Sequence, residues 1–181
     1  MSEEEERVMI WNTFFKLAWA EAKSLSETAT AQVSSEQFDP ETLPDTEFHS
    51  LATLVLCALA IEARANHLIE ELKEKGKISP DVADAIQRLP LKDRWFLIPQ
   101  LAGVSNMLAS ECEPHQSISQ ICGLRNLLLH VNYSKLKKQL PSPNTTLSYF
   151  RGFVAAMEDM NVVLKRIEKP RSKVLQIGRF R

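Results

Sequence analysis

Gly123 to Tyr133 reads GLRNLLLHVNY. The stretch has no proline and holds its leucines at helical intervals, so it is read as part of a long α-helix. On an ideal helix of about 100° per residue, Ile118, Ile121, Cys122, Leu128, Leu129 and Leu136 form one wide apolar stripe. Arg125 and Asn132 fall in the middle of that stripe. His130 and Tyr133 fall to one side of it, next to Asn126. A guanidinium cannot shed its charge, so an arginine on an apolar face needs a partner or a wet cavity. It either snorkels to the rim or pairs with a carboxylate.

The string Arg125-Asn126-Leu127-Leu128-Leu129-His130 resembles the motif of HEPN domains (higher eukaryotes and prokaryotes nucleotide-binding). That motif is an arginine, a polar residue, a few more residues and a histidine, late in an all-helical domain and followed by one more helix. The resemblance covers roughly residues 48–166. It implies an all-α bundle and a metal-independent ribonuclease acting as a homodimer, with the motif helices of both chains at one cleft. No cofactor is implied. The implied substrate is RNA, and an antitoxin-like protein partner encoded elsewhere is compatible with it. In this reading Arg125 holds the scissile phosphate and His130 is general acid or base. Asn126, four residues before His130, orients the histidine or the substrate. Glu62, Asn66 and Tyr133 are the supporting candidates. Arg125 and His130 are five apart, so they diverge by about 140° on one ideal helix. Two helices from two chains aim such a pair at one phosphate more readily than one helix does. The alternatives are a non-catalytic bundle that binds nucleotides, RNA or protein, since fold alone does not establish activity, and a purely structural helical dimer in which Arg125 simply pairs with Glu62.

Composition sets bounds on these readings. At 181 residues the chain suits one domain with a sizeable core. Hydrophobic residues make up 44% and charged residues 25%, which fits a globular chain rather than a disordered one. Five glycines disfavour a turn-rich β fold. The formal net charge of −1 gives no global field for nucleic acid, so such binding needs a local patch. No apolar run reaches the ~18 residues of a membrane span, and no membrane partner is expected. The acidic start, Ser2-Glu3-Glu4-Glu5-Glu6, is unlike a signal peptide. Three scattered cysteines point to a reducing cytoplasm.

Along the chain, Val8, Trp11, Phe15, Ala18, Ala22 and Leu25 predict a first helix over 4–25 with a fraying tail towards Gln32. Trp11, Phe14, Phe15 and Trp19 are read as core or dimer packing rather than a base-stacking platform. The apolar period lapses over 26–45, which is read as a loop, part of it continuing the helix. A second helix begins at Asp45 or Thr46 and stops at Gly76. Glu62 and Asn66 share one of its faces and interrupt a nearly all-apolar surface. Glu62 is therefore the candidate partner of Arg125, unless it pairs locally with Arg64 or Lys73. His67 is expected to face solvent. Ser79-Pro80-Asp81 opens a short helix, and another spans Leu91 to Leu101 with Pro99 near its end. Residues 103–114 are read as irregular. The motif helix runs over 115–139, and a last helix is capped by Asn144 or Thr145.

The domain assignment is a helical bundle over 1–168 and a basic tail over 169–181. The tail carries Lys169, Arg171, Lys173, Arg179 and Arg181 with no acid. It suits either a phosphate backbone or open solvent. No Gly-rich phosphate loop and no nucleophile elbow is present. Cys112, His115, Cys122 and His130 match no common zinc spacing.

Overall fold

In a computed structural model the chain is an all-α bundle. The structure describes residues 3–34, 45–104, 112–130 and 140–168. Six helices lie within them: α1 (Glu3–Ser34), α2 (Asp45–Glu74), α3 (Pro80–Gln87), α4 (Leu91–Leu101), α5 (His115–His130) and α6 (Pro143–Glu168). The tail from residue 169, Asn132 and Tyr133 lie outside the described residues, as do the rest of the expected motif helix beyond His130 and residues 35–44 of the expected 26–45 loop.

α2 is the axis of the bundle and touches each of the other five helices. The reason is its composition. Leu54, Cys57, Ala58, Ile61, Ala65, Leu68, Ile69 and Leu72 are all buried, so apolar side chains cover most of its circumference. By length and composition α2 could also cross a bilayer, but half of its apolar window is buried inside the bundle. α1 lies along α2 with Ala18, Ala22 and Leu25 buried. Small side chains at such a contact let two helix axes approach closely. α6 adds Phe153, Met157, Met160 and Val163, α5 adds Ile118 and Ile121, and α4 adds Trp95 and Ile98. Removing these side chains from water is the main driving force, about 1.5–3 kcal/mol for each large one.

Several boundaries follow from local chemistry. Gly76 adopts φ 63°, and its N–H donates to Lys73 O while Lys77 N–H donates to Leu72 O. That pattern closes the C-terminus of α2 in a Schellman turn, which favours glycine. Ser79 caps α3 by accepting from Val82 N–H, ahead of Pro80. α4 spans the expected residues. Pro99 lies inside its last turn and withholds the N–H that would bond the Trp95 carbonyl.

Three expectations are corrected. α1 continues to Ser34, past the expected tail towards Gln32 and into the stretch read mainly as a loop; the hydroxyls of Thr28 and Thr30 are satisfied inside it by donating to Ser24 O and Ser26 O one turn back. The cap of α6 is Ser142, not Asn144 or Thr145; its hydroxyl accepts from Thr145 N–H, with Pro143 at the first helical position. His67 is buried rather than solvent-facing. It shares its face of α2 with Arg64 and Glu71, three residues before and four after, and both are buried too.

The aromatic residues of α1 form a ladder with α6. Phe15 packs on Phe153 with ring centroids 5.5 Å apart, and Trp19 meets Phe150 edge-on at 5.6 Å. Trp11 lies under the Arg64 guanidinium, 4.5 Å from its ring centre. The core reading therefore fits Phe15, while Trp19 remains 51% exposed at the edge of the bundle.

Candidate functional site

The site forms where α2, α4 and α5 meet. Each helix contributes a polar side chain at the edge of an otherwise apolar contact. Glu62 and Asn66 come from consecutive turns of α2, Arg94 from α4, and Arg125 with Asn126 from α5. Nη2 of Arg125 donates to Oε2 of Glu62 at 2.9 Å. Nη2 of Arg94 donates to the other oxygen, Oε1, at 3.1 Å, and Nη1 of Arg94 donates to Oδ1 of Asn66 at 2.7 Å. Nη1 of Arg125 donates to Oδ1 of Asn126 at 3.3 Å. One carboxylate thus bridges two guanidinium groups, and the cluster retains one net positive charge.

Exposure separates the two arginines. The Arg94 side chain is 9% exposed, whereas Arg125 and Glu62 are 31% and 28% exposed. Arg94 is an internal tie. Arg125 reaches the rim and is the more exposed guanidinium of the two. The stripe-centred position expected for Arg125 is therefore half-buried rather than fully buried, and its partner is the expected Glu62. The local pairing of Glu62 with Arg64 or Lys73 does not occur. Arg64 donates to Oδ1 of Asn161 at 2.7 Å, and Lys73 pairs with Glu70. Burial lowers the Arg64 pKa to about 10, so it remains a cation at neutral pH.

Cys122 lies one turn before Arg125 on the buried side of α5. Burial pushes its thiol up to about 12, against the opposing pull of Arg125, Lys92 and Arg94. It stays protonated at neutral pH and is no nucleophile. Among the described residues no group of three or more His, Cys, Asp or Glu side chains is placed to hold a metal ion.

The structure brings Glu62, Asn66, Arg125 and Asn126 of the candidate set together. Asn126 is exposed and contacts Arg125. The backbone of His130 closes the described part of α5; its side chain and Tyr133 lie outside the described residues.

Arg94 was missed by sequence reasoning, although a signal was present. Leu91, Arg94, Trp95 and Ile98 fall on one face of α4 and all are buried. An arginine in the middle of an apolar stripe marks Arg94 and Arg125 alike, and Arg64 on α2 follows the same rule between Ile61 and Leu68. The burial of His115 was also missed. The residue sits buried at the start of α5 with Nε2 3.2 Å from Oδ2 of Asp159 and its ring against Phe96. Burial lowers its pKa, partly opposed by Asp159 and Glu113.

No protein-family model, no curated protein and no solved structure matches the chain.

Proposed function

We propose that the chain is a HEPN-like, metal-independent endoribonuclease that acts as a homodimer in the cytoplasm. Arg125 carries the reading: a cation at the rim of the bundle, held by a carboxylate that a second, nearly buried arginine fixes in place. Such a guanidinium is pre-organised for a phosphodiester, since its orientation is set before the ligand arrives. Asn126 at its side supplies an amide for the substrate or for His130. His130 takes the proton of the ribose 2′-OH or gives one to the leaving oxygen. Arg125 stabilises the charge that develops on the phosphate. RNA rather than DNA follows from the 2′-OH acting as nucleophile.

The dimer reading draws support from α2. Phe48 and Leu59 are exposed, and Leu51 and Val55 between them are half-buried. These residues share the face that carries Glu62 and Asn66, so an apolar stripe leads to the site. The three cysteines are free, which suits the cytoplasm. The alternative is a non-catalytic RNA- or protein-binding module. It is favoured by the fact that Arg125 already has the Glu62 carboxylate as partner.

A mixing experiment tests the composite cleft. Arg125→Ala and His130→Ala chains, each expected to be inactive alone, should regain part of the RNA cleavage rate after subunit exchange. No recovery in exchanged dimers, shown by differently tagged chains, would contradict a cleft built from two chains.

A further inference from the structure

A second feature lies on the other side of α2, between α1 and α6. Trp19, Ala22, Lys23, Leu147, Phe150 and Arg151 line an open groove of about 280 Å³. Its floor is apolar and its charged lining residues are both cationic. Phe150 and Phe15 hold the Trp19 indole from the core side, with centroids at 5.6 and 6.2 Å, while half of the indole remains open to solvent. Arg151 is exposed and has no ion-pair partner among the described residues. Lys23 reaches Glu27 at 3.9 Å, but both side chains are about 70% exposed, and such a pair binds weakly. The groove therefore offers a fixed aromatic platform with two available cations beside it.

We propose that this groove binds a mononucleotide unit, a base with its 5′-phosphate. The base stacks on Trp19 and the phosphate meets Arg151 and Lys23. The chemistry of the lining selects this ligand. An indole face takes any planar base, guanidinium and ammonium groups take the phosphate, and no lining acid repels it. The volume suits one base with its phosphate and is too small for a helix. The groove is separate from Arg125, so the proposal stands independently of the ribonuclease reading.

Tryptophan fluorescence of the full chain provides the test. Trp95 is fully buried and Trp11 lies under Arg64 rather than in the groove lining, so a bound base should quench chiefly Trp19. Adenosine 5′-monophosphate should quench, adenosine should do so at higher concentration, and ribose 5-phosphate should not. Calorimetry should show that Trp19→Leu, which keeps an apolar side chain on Phe150, weakens adenosine 5′-monophosphate binding by about 5- to 150-fold. Arg151→Gln should weaken the monophosphate severalfold and leave adenosine unchanged. Equal binding by folded Trp19→Leu or no binding by the wild type would each overturn the proposal. A change in sedimentation of Trp19→Leu without any nucleotide binding by wild type would instead identify a protein-docking edge, and would also overturn it.

Discussion

Arg125 and Glu62, 63 residues apart in the chain, are joined by a 2.9 Å charge-assisted hydrogen bond that ties α5 to α2. The other oxygen of Glu62 holds Arg94 on α4. Glu62 is therefore the shared anchor of three helices. Without it, Arg94 is left nearly buried without its carboxylate. Glu62→Ala should destabilise the fold by about 3 kcal/mol, the size seen when one member of a buried pair is removed. Arg125→Ala should lose less, because the Glu62–Arg94 bond survives. Urea unfolding of the two variants measures the difference; equal losses would mean that Arg94 does not depend on Glu62.

The close approach of α5 and α6 gives a second expectation. A methyl group at Gly152 would meet the side chain of Ser117 and lie 2.7 Å from a Glu113 carboxylate oxygen. Ser117 is fully buried and its hydroxyl donates to Glu113, so it has little room to yield. Gly→Ala inside a helix ordinarily stabilises by up to about 1 kcal/mol. Here overpacking should reverse the sign, with Gly152→Ala losing about 1–3 kcal/mol. Ser117→Gly in the same chain should recover part of the loss. A raised melting temperature for Gly152→Ala alone would show that the helices can move apart freely.

His115 should make stability depend on pH. Its pKa is lowered in the fold, chiefly by burial, from an ordinary value of 6.5. The unfolded chain therefore binds more protons than the native chain as pH falls below about 6.5, and stability falls with it. Above that value His115 is neutral in both states and its effect is flat. Denaturant midpoints should thus be lower at pH 5 than at pH 7, and His115→Gln should show a smaller difference. An unchanged pH dependence in that variant would place the acid sensitivity elsewhere.

Much of this fold was legible because its signals are local. The helical class, the glycine stop at Gly76, the Ser79-Pro80 start and the bounds of α4 each depend on a few neighbouring residues. The Glu62–Arg125 pair was legible for a different reason: two charges interrupting two apolar faces have few other partners. Arg94 was overlooked because Trp95 and its apolar neighbours dominate a short helix, although its position on their face carried the same signal. The burial of His67 depends on which helices cover α2, which no local pattern states. The extent of α1 was underestimated because serines and threonines signal a loop unless their hydroxyls are satisfied by the preceding turn.

The proposed composite cleft requires association, so on that reading sedimentation at micromolar concentration should give about twice the chain mass. Replacing apolar residues of the α2 stripe should separate the chains while leaving each folded. Phe48→Lys with Leu59→Lys suits this purpose, since both side chains are exposed and lie outside the core. A monomer at all concentrations in the wild type would remove the two-chain site.

The most direct measurement is cleavage of a broad RNA pool by the purified protein in excess EDTA, with His130→Ala run beside it. The wild type should cut RNA, leave DNA intact and produce ends carrying a 2′,3′-cyclic phosphate, because the 2′-OH is the attacking group. His130→Ala should be slower by about 10²–10⁴, the usual contribution of a general acid or base. Arg125→Lys should also be slower, since lysine keeps the charge and loses the planar fork. Cleavage by His130→Ala at the wild-type rate would contradict the ribonuclease reading.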